Sequence, residues 1–435
     1  MIRKTGLAII AVMAASVYEA ILLGFLYLLF FGIALMMAFW VDIVLFHASQ
    51  SKKMKAVTIR RDLKDNYGRK NQWVTINLSV ENSSKSRVAF HYFDSLSDVF
   101  RSRGDFKGYL TLMPGESRII SYEIAPQAVG KYYVGPVEMY AEDPFRICVL
   151  NYVAERITEI HVSPSLADLH GARADRMSNI RFTEGLHRSK SVGQGYNFYG
   201  IRPYTESDDL RYVSWSRYGT VNGEDLYVKQ MEEERQMEVH FLIDYSLAVN
   251  YGYSDKRMYD RLIIDSINAA YSIIKNHDGV GFMLFSSDHD IYIKPARSDV
   301  SINTLERAVA DIRPSGEFDL AAALENVRQK IRKSSLIMVM TPLSGSTHFS
   351  LSKSSLIQKG KQITVFIVEP SEFIDQSGLT EPYKKILRSQ LMRRINTLKN
   401  DASMIRALGL NCYVVQESRL YARMVMEYQY GKIVG

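Results

Sequence analysis

The sequence predicts a multi-domain chain: N-terminal transmembrane helices, then a β-sandwich, then a doubly wound α/β domain. Three observations predict it. Leu7 to Phe46 is apolar, with Glu19 and Asp42 as its acids. From Val57 the chain alternates apolar and polar residues with period two, the mark of half-buried strands. From about Glu238 short apolar runs alternate with segments of helical spacing. The length of 435 residues accommodates two or three domains. A content of 47% hydrophobic and 23% charged residues is ordinary for a globular body, which then needs no disulfide or metal staple. The expected division is a transmembrane hairpin anchor over 1–50, a β-sandwich over 56–165, a linker and motif segment over 166–237 packing on the next domain, and an α/β domain over 238–435.

A membrane span needs about 20 apolar residues to cross about 30 Å of hydrocarbon. Ala20 to Val41 meets that alone. Leu7 to Tyr18 reaches roughly 18 Å as a helix. Two topologies follow: a tight hairpin turning near Ser16 to Glu19, or a single span over Ala20 to Val41. Arg3 and Lys4 precede the segment, and Lys52, Lys53 and Lys55 follow it. The positive-inside rule places both groups in the cytoplasm, which requires an even number of crossings and favours the hairpin. A cleaved signal peptide does not fit, because apolar sequence continues through Phe46. The expected location is the cell membrane, with the soluble domains facing the cytoplasm.

In the strand-rich part, Trp73 to Val80, Ser117 to Ile124 and Thr158 to Val162 show the two-residue alternation. Asn82 to Ser84, Pro114-Gly115, Gly135-Pro136 and Asp143-Pro144 supply turns between them. Short strands at this spacing predict an antiparallel sandwich of immunoglobulin type. Leu166 to Ser191 is polar and aperiodic, and reads as a linker that includes at most a short helix.

In the last part, strands are expected at Val239 to Ile243, Gly281 to Phe285, Leu336 to Met340, Ile363 to Val368 and Asn411 to Val415. Helices are expected over Arg257 to Lys275, Val300 to Ile312 and Phe318 to Ile331, and a long basic helix or pair of helices over Pro382 to Leu408. Apolar strands alternating with amphipathic helices predict a mostly parallel sheet, whose ligands sit beyond the C-terminal strand ends. Asp244, Thr341 and Glu369 fall at that edge.

The densest constellation runs from Gly195 to Trp215. It contains Tyr199-Gly200-Ile201-Arg202-Pro203-Tyr204, then Asp208, Asp209, Arg211 and Trp215. Leu226-Tyr227-Val228-Lys229 and Asp244-Tyr245-Ser246 follow. This combination resembles the domain-of-unknown-function family fifty-eight, as do Gly130 to Pro136 and Asp143-Pro144-Phe145 upstream. The resemblance covers almost the whole chain. It implies a von Willebrand factor A-like C-terminal domain and association with a cytoplasmic MoxR-type AAA+ ATPase in the assembly or maturation of client proteins. No enzymatic activity is established for the family. From the residues themselves, Arg202, Asp208, Asp209 and Arg211 are expected to form a charge network holding the segment against the sheet edge. Tyr199, Tyr204 and Trp215 are expected to supply buried aromatic area with polar tips. These seven residues either lock the segment to the α/β domain or form part of a partner-docking surface.

Von Willebrand-type domains often hold Mg²⁺ through Asp-x-Ser-x-Ser, a Thr from a second loop and an Asp from a third. Asp244 and Ser246 match the first loop, but Ala248 replaces its second serine. Phe318 stands in place of the Thr, with Asp319 beside it, and Pro342 in place of the Asp. The expectation is a degenerate remnant that functions without metal or other cofactor; the alternative is a metal-dependent enzyme at a divergent site near Asp244.

Other chemistries find little support. Cys148 and Cys412 form no C-x-x-C pattern and read as buried apolar residues. No G-x-x-x-x-G-K-[ST] loop occurs, so any nucleotide energy comes from a partner. Gly193, Gly195 and Gly200 do not make a dinucleotide fingerprint. Ser286 to Asp290 lies between two apolar runs and reads as a hairpin turn. The net charge of +7 places a basic cluster directly after the apolar segment, so the membrane surface, not nucleic acid, is the expected partner. The acidic run Glu232 to Glu238 and the basic segment Lys384 to Lys399 read as solvated faces, the latter with lipid headgroups as its sharper alternative.

Overall fold

The computed structural model describes residues 4–24, 26–63, 65–143, 148–155, 157–165, 192–217, 226–232, 237–253, 256–331, 335–343, 361–376 and 378–434. The expected linker Leu166 to Ser191 lies outside them. The chain divides into two compact units, Met1–Ser165 with Val309–Ile312, and Leu166–Ala308 with Arg313–Gly435.

Two apolar helices begin the first unit, α1 (Lys4–Leu23) and α2 (Leu26–Lys55). Both are long and apolar enough to cross a membrane. Met13 packs against Phe39, with Ile10 and Ile43 beside them. A Cβ at Gly32 would lie 2.7 Å from Val17 Cγ2, so glycine is what permits this close approach. The reversal falls at Gly24, not at Ser16 to Glu19 as expected. Ser16 stays helical by donating its hydroxyl to the Met13 carbonyl at 2.8 Å. Gly24 adopts φ +70°, a left-handed conformation that ends a helix cheaply only at glycine. The later turn gives α1 20 residues, about 30 Å of rise. Ile21, Leu22, Tyr27, Phe30, Phe31 and Trp40 point outward and exposed. An apolar surface this continuous fits membrane anchoring. The last turn of α2 carries Lys52, Lys53 and Lys55, where cations complement the helix dipole. Its Phe46 and Met54 enter the core of the strand domain, so one helix joins anchor to domain.

Ten strands follow: β1 (Val57–Leu63), β2 (Tyr67–Arg69), β3 (Val74–Asn82), β4 (Val88–Leu96), β5 (Phe100–Gly104), β6 (Lys107–Leu112), β7 (Ser117–Pro126), β8 (Gly130–Glu142), β9 (Val149–Glu155) and β10 (Thr158–Ser163). They form a sheet of order β1-β3-β7-β5 and another of order β2-β10-β8-β4-β6, with β9 also on β8. Pairing is antiparallel except between β10 and β2. Alternate residues of β3 (Ile76, Leu78, Val80) and of β4 (Val88, Phe90, Tyr92) are buried and share one core.

The second unit opens with a two-stranded antiparallel ribbon, β11 (Val192–Pro203) and β12 (Tyr227–Glu232). A six-stranded sheet comes next, with β14 (Gly252–Tyr253) and β15 (Lys256–Arg257) as a short ribbon beside it. Its strands are β13 (Glu238–Asp244), β16 (Gly279–Phe285), β17 (Asp290–Ala296), β18 (Ser335–Thr341), β19 (Lys361–Val368) and β20 (Asn411–Val415). Their order is β17-β16-β13-β18-β19-β20, parallel throughout except for the β16–β17 hairpin. Ser286 to His289 are the turn of that hairpin. The helices among the described residues are α3 (Met258–Ile274), α4 (Val300–Asp311), α5 (Leu320–Lys330), α6 (Glu381–Ala407) and α7 (Glu417–Val434). Leu320, Ala323 and Val327 of α5 and Leu398, Ala402 and Ile405 of α6 share a core with Leu242, Val339, Val365 and Cys412 of the sheet. Helices α3 and α7 pack on each other and on the sheet strands. Every residue of β16 and β18 is buried, as expected of strands covered on both faces.

Candidate functional site

The ribbon carries the seven motif residues. Phe198 pairs with Met231 and Gly200 with Gln230, which leaves Tyr199 as the extra residue of a bulge. Of its side chain nothing is described. Beyond the bulge Arg202 faces Val228, and the Tyr204 amide donates to the Leu226 carbonyl at 2.8 Å. The chain then turns. Asp208 closes the turn by accepting from Arg202 Nη1 at 2.7 Å and from the Thr205 amide and hydroxyl, each at 2.8 Å. Arg202 Nη2 binds its other oxygen. The Arg202 guanidinium, with these Thr205 donors, holds the Asp208 carboxyl down at about 2. Asp209 caps the 3₁₀ turn Leu210–Tyr212 through the Arg211 amide at 3.0 Å and pairs with Arg211 Nε at 3.1 Å. Val213 then bridges to Val228, and the Ser214 amide donates to Tyr227 O at 2.7 Å.

The four charged residues therefore form two local pairs, not one network against the sheet. Each pair closes within 202–211, because Asp208 lies six residues from Arg202 and Asp209 two from Arg211. Tyr204 is half-buried, whereas Trp215 is 63% exposed instead of buried. A two-stranded ribbon has no second layer with which to cover an indole. Phe198, Leu210 and Tyr212 are exposed with it. Sequence reasoning missed these three; an apolar residue on each side of the Asp-Arg caps was the available signal.

The second expected site lies at the C-terminal end of β13. Asp244 is buried between parallel neighbours, and both its oxygens take protein donors. The Thr341 hydroxyl donates to Oδ2 at 2.7 Å, and the Ser246 amide donates to Oδ1 at 2.9 Å. Burial raises the Asp244 carboxyl above its ordinary range, against these opposing hydrogen bonds. Ser246 itself caps the 3₁₀ turn Leu247–Val249. Phe318 sets its ring edge-on to Phe285 at 6.2 Å, and Asp319 caps α5 by accepting from the Ala321 amide at 2.9 Å. Pro342 offers its carbonyl, 3.4 Å from Arg394 Nη2. Octahedral Mg²⁺ needs several oxygen ligands free to face it. Here the Asp244, Asp319 and Pro342 oxygens accept from amides, a hydroxyl and a guanidinium of the protein. Thr341, expected at the same strand-end edge 97 residues on, is hydrogen-bonded to Asp244 there, a contact that the sequence does not show. Glu369 is buried at the end of β19, its amide donating to Val415 O at 3.0 Å.

Residues 200–374 match the family model described as Protein of unknown function DUF58. No curated protein matches the chain. Among solved structures, the chain is similar to an aerotolerance-related membrane protein from Bacteroides fragilis NCTC 9343, crystallised with multiple mutations to serines. The identity is 16%, over 30% of this chain and 66% of that one, at a TM-score of 0.25. It is also similar to the CARDB domain of a Pyrococcus furiosus protein, solved in complex with di-metal ions. That likeness has 13% identity, over 24% of this chain and 91% of that domain, at a TM-score of 0.18. The match to the family of unknown function DUF58 runs from the middle of the motif ribbon at Gly200 to the turn after β19 at Ile374.

Proposed function

We propose that the chain is a membrane-anchored, non-enzymatic protein-binding module whose partner is a cytoplasmic MoxR-type AAA+ ATPase acting on client proteins. The observation that carries this is the exposure of Phe198, Leu210, Tyr212 and Trp215 on a ribbon and its connection braced by Arg202 and Asp208. Aromatic side chains on a rigid frame bind partners at a low entropy cost, and Trp, Tyr and Arg dominate interface energies. The strand order, with β13 between β16 and β18, supports a doubly wound α/β domain of von Willebrand factor A type, and the two sheets of the first unit support an immunoglobulin-like sandwich. Lys52, Lys53 and Lys55 after α2 support a cytoplasmic orientation. The chain itself has no Walker A loop, so the ATPase supplies the energy.

The full chain, solubilised from membranes, is expected to co-purify with a AAA+ ATPase, and Trp215→Ala with Tyr212→Ala is expected to lose it. Equal recovery with both proteins, or no ATPase with the unaltered one, overturns the reading.

A further inference from the structure

Helix α6 is unlike its neighbours. Its buried side chains are Leu398, Ala402 and Ile405, all in the C-terminal half. From Glu381 to Thr397 none is buried. A helix of this length is normally held by an apolar stripe along its whole face. Here the stripe continues through Leu387, Leu391 and Ile395, but these are only half-buried, so the first half is covered less than the second. The helix carries seven basic and two acidic side chains, a net +5 within a chain of net +7.

Some of these cations have structural work. Lys384 pairs with Glu381 at 3.5 Å, Arg394 donates to the Leu343 carbonyl at 2.7 Å, and Arg406 donates to the Ala402 carbonyl at 3.2 Å. Lys385, Arg388, Arg393 and Lys399 are exposed and make no ion pair among the described residues. Three of them share one face. Lys385, Arg388, Met392 and Lys399 follow the spacing i, i+3, i+7, i+14, which places them within about 60° around the helix and over about 21 Å along it. Met392 in the middle of that row is 64% exposed.

We propose that this face of α6 rests on the anionic headgroups of the membrane in which α1 and α2 are embedded. A row of cations with an exposed methionine among them matches an interface, where ammonium and guanidinium groups meet phosphates and the methionine enters the acyl boundary. The occupant is argued from the chain itself: its own anchor keeps a bilayer permanently within reach of the domain. An acidic protein would have to be brought in. Nucleic acid is disfavoured because only Tyr383 on this stretch offers a ring for stacking. The inference does not depend on the partner-docking reading, because the ribbon and this helix face are separate surfaces.

The test uses the full chain in nanodiscs, with Met392→Cys carrying an environment-sensitive fluorophore; Cys148 and Cys412 are buried and stay in place. Discs of phosphatidylcholine alone are compared with discs of an equal mixture with phosphatidylglycerol. The expected result is a blue-shifted, brighter emission in the anionic discs that high salt reverses. Each basic side chain near the surface changes the bound-to-free ratio by about five-fold, so Lys385→Glu, Arg388→Glu and Lys399→Glu together should abolish the shift. Identical spectra in the two discs overturn the proposal, whatever the charge variants do. So does a shift that arises in neutral discs on adding polyglutamate or single-stranded DNA, which would assign the face to an acidic polymer.

Discussion

Arg61 on β1 and Asp94 on β4 meet between the two sheets of the strand domain as a two-pronged ion pair whose side chains are 1% and 0% exposed. Nη2 lies 2.6 Å from Oδ1, and Nε lies 3.1 Å from Oδ2. The two strands belong to different sheets, so the pair joins the layers. Arg61 also donates to the Val134 carbonyl and the Thr158 hydroxyl, and the Tyr122 hydroxyl donates to Asp94 at 2.6 Å. Removing one partner strands a buried charge at a cost of roughly 3–5 kcal/mol, whereas an apolar pair of similar volume is often neutral. Arg61→Met should therefore lower the urea midpoint of the strand domain sharply, and Arg61→Met with Asp94→Leu should recover most of the loss. A single variant as stable as the parent would show that the pair contributes nothing.

Asp265 on α3 predicts a pH dependence of the opposite kind from that of a surface salt bridge. Burial raises its carboxyl to about 6, against the attraction of Arg261, whose Nη2 is 3.1 Å away. Arg261 Nε is shared with Glu417 at 2.8 Å, and burial raises Glu417 too. The unfolded value is about 3.9, so between the two values the folded state holds a proton that the unfolded state has lost. Stability then falls as pH rises from about 4 to about 6, by on the order of 2–3 kcal/mol. Asp265→Asn should flatten that decline in denaturant midpoints measured from pH 4 to 7. Parallel curves for the two proteins would remove Asp265 as the cause.

These two clusters mark the limit of what the sequence makes legible. Periodicity finds local elements well: the helix read over Pro382 to Leu408 is Glu381–Ala407, with the proline in its first turn. It also finds the Ser286 to Asp290 turn, because both flanking apolar runs are visible. Arg61 looks like an ordinary strand cation, since its partner lies 33 residues away in the other sheet. Thr341 and Asp244 are 97 residues apart and meet only because β18 lies beside β13. Trp215 reads as core by composition, and only the two-strand limit of its ribbon leaves it exposed. Contacts set by register between distant strands leave no local trace.

The Thr341–Asp244 bond bears on metal binding. Thr341→Val removes a donor from a buried carboxylate and an acceptor from the Leu343 amide, which donates to the same hydroxyl at 2.9 Å. It should cost about 1–3 kcal/mol, with Thr341→Ser close to the parent. Isothermal titration with Mg²⁺ or Mn²⁺ should give no micromolar binding in the parent. Micromolar affinity that Asp244→Ala abolishes would reinstate the metal-dependent alternative.

The ribbon separates bracing from binding. Arg202→Ala unties Asp208 from β11, so proteolysis between Thr205 and Arg211 should accelerate while the six-stranded sheet keeps its thermal transition. Because the Asp208 carboxyl is held down at about 2, the brace is present above the ordinary aspartate range and is lost as pH falls through about 2. Trp215→Ala should leave proteolysis unchanged, since the indole is solvent-facing, yet should weaken partner capture by 10-fold or more on the roughly 2 kcal/mol scale of interface anchors. Faster cleavage in Trp215→Ala would make the indole part of the brace instead.

Topology turns on the position of the reversal at Gly24. With the turn there, α1 is as long as a bilayer is thick, and Arg3, Lys4, Lys52, Lys53 and Lys55 all belong on one side. Cysteines at Arg3→Cys and Lys53→Cys should then react with a membrane-impermeant maleimide only once the cytoplasmic face is opened. Tyr27→Cys, one turn beyond Gly24 and 90% exposed, should react from the opposite face of intact cells. Had the chain reversed at Ser16 to Glu19, Tyr27 would lie deep in the hydrocarbon and resist labelling from either side. Labelling of Arg3→Cys from outside, together with protection of Tyr27→Cys, would leave α2 as the single span and place α1 beyond it.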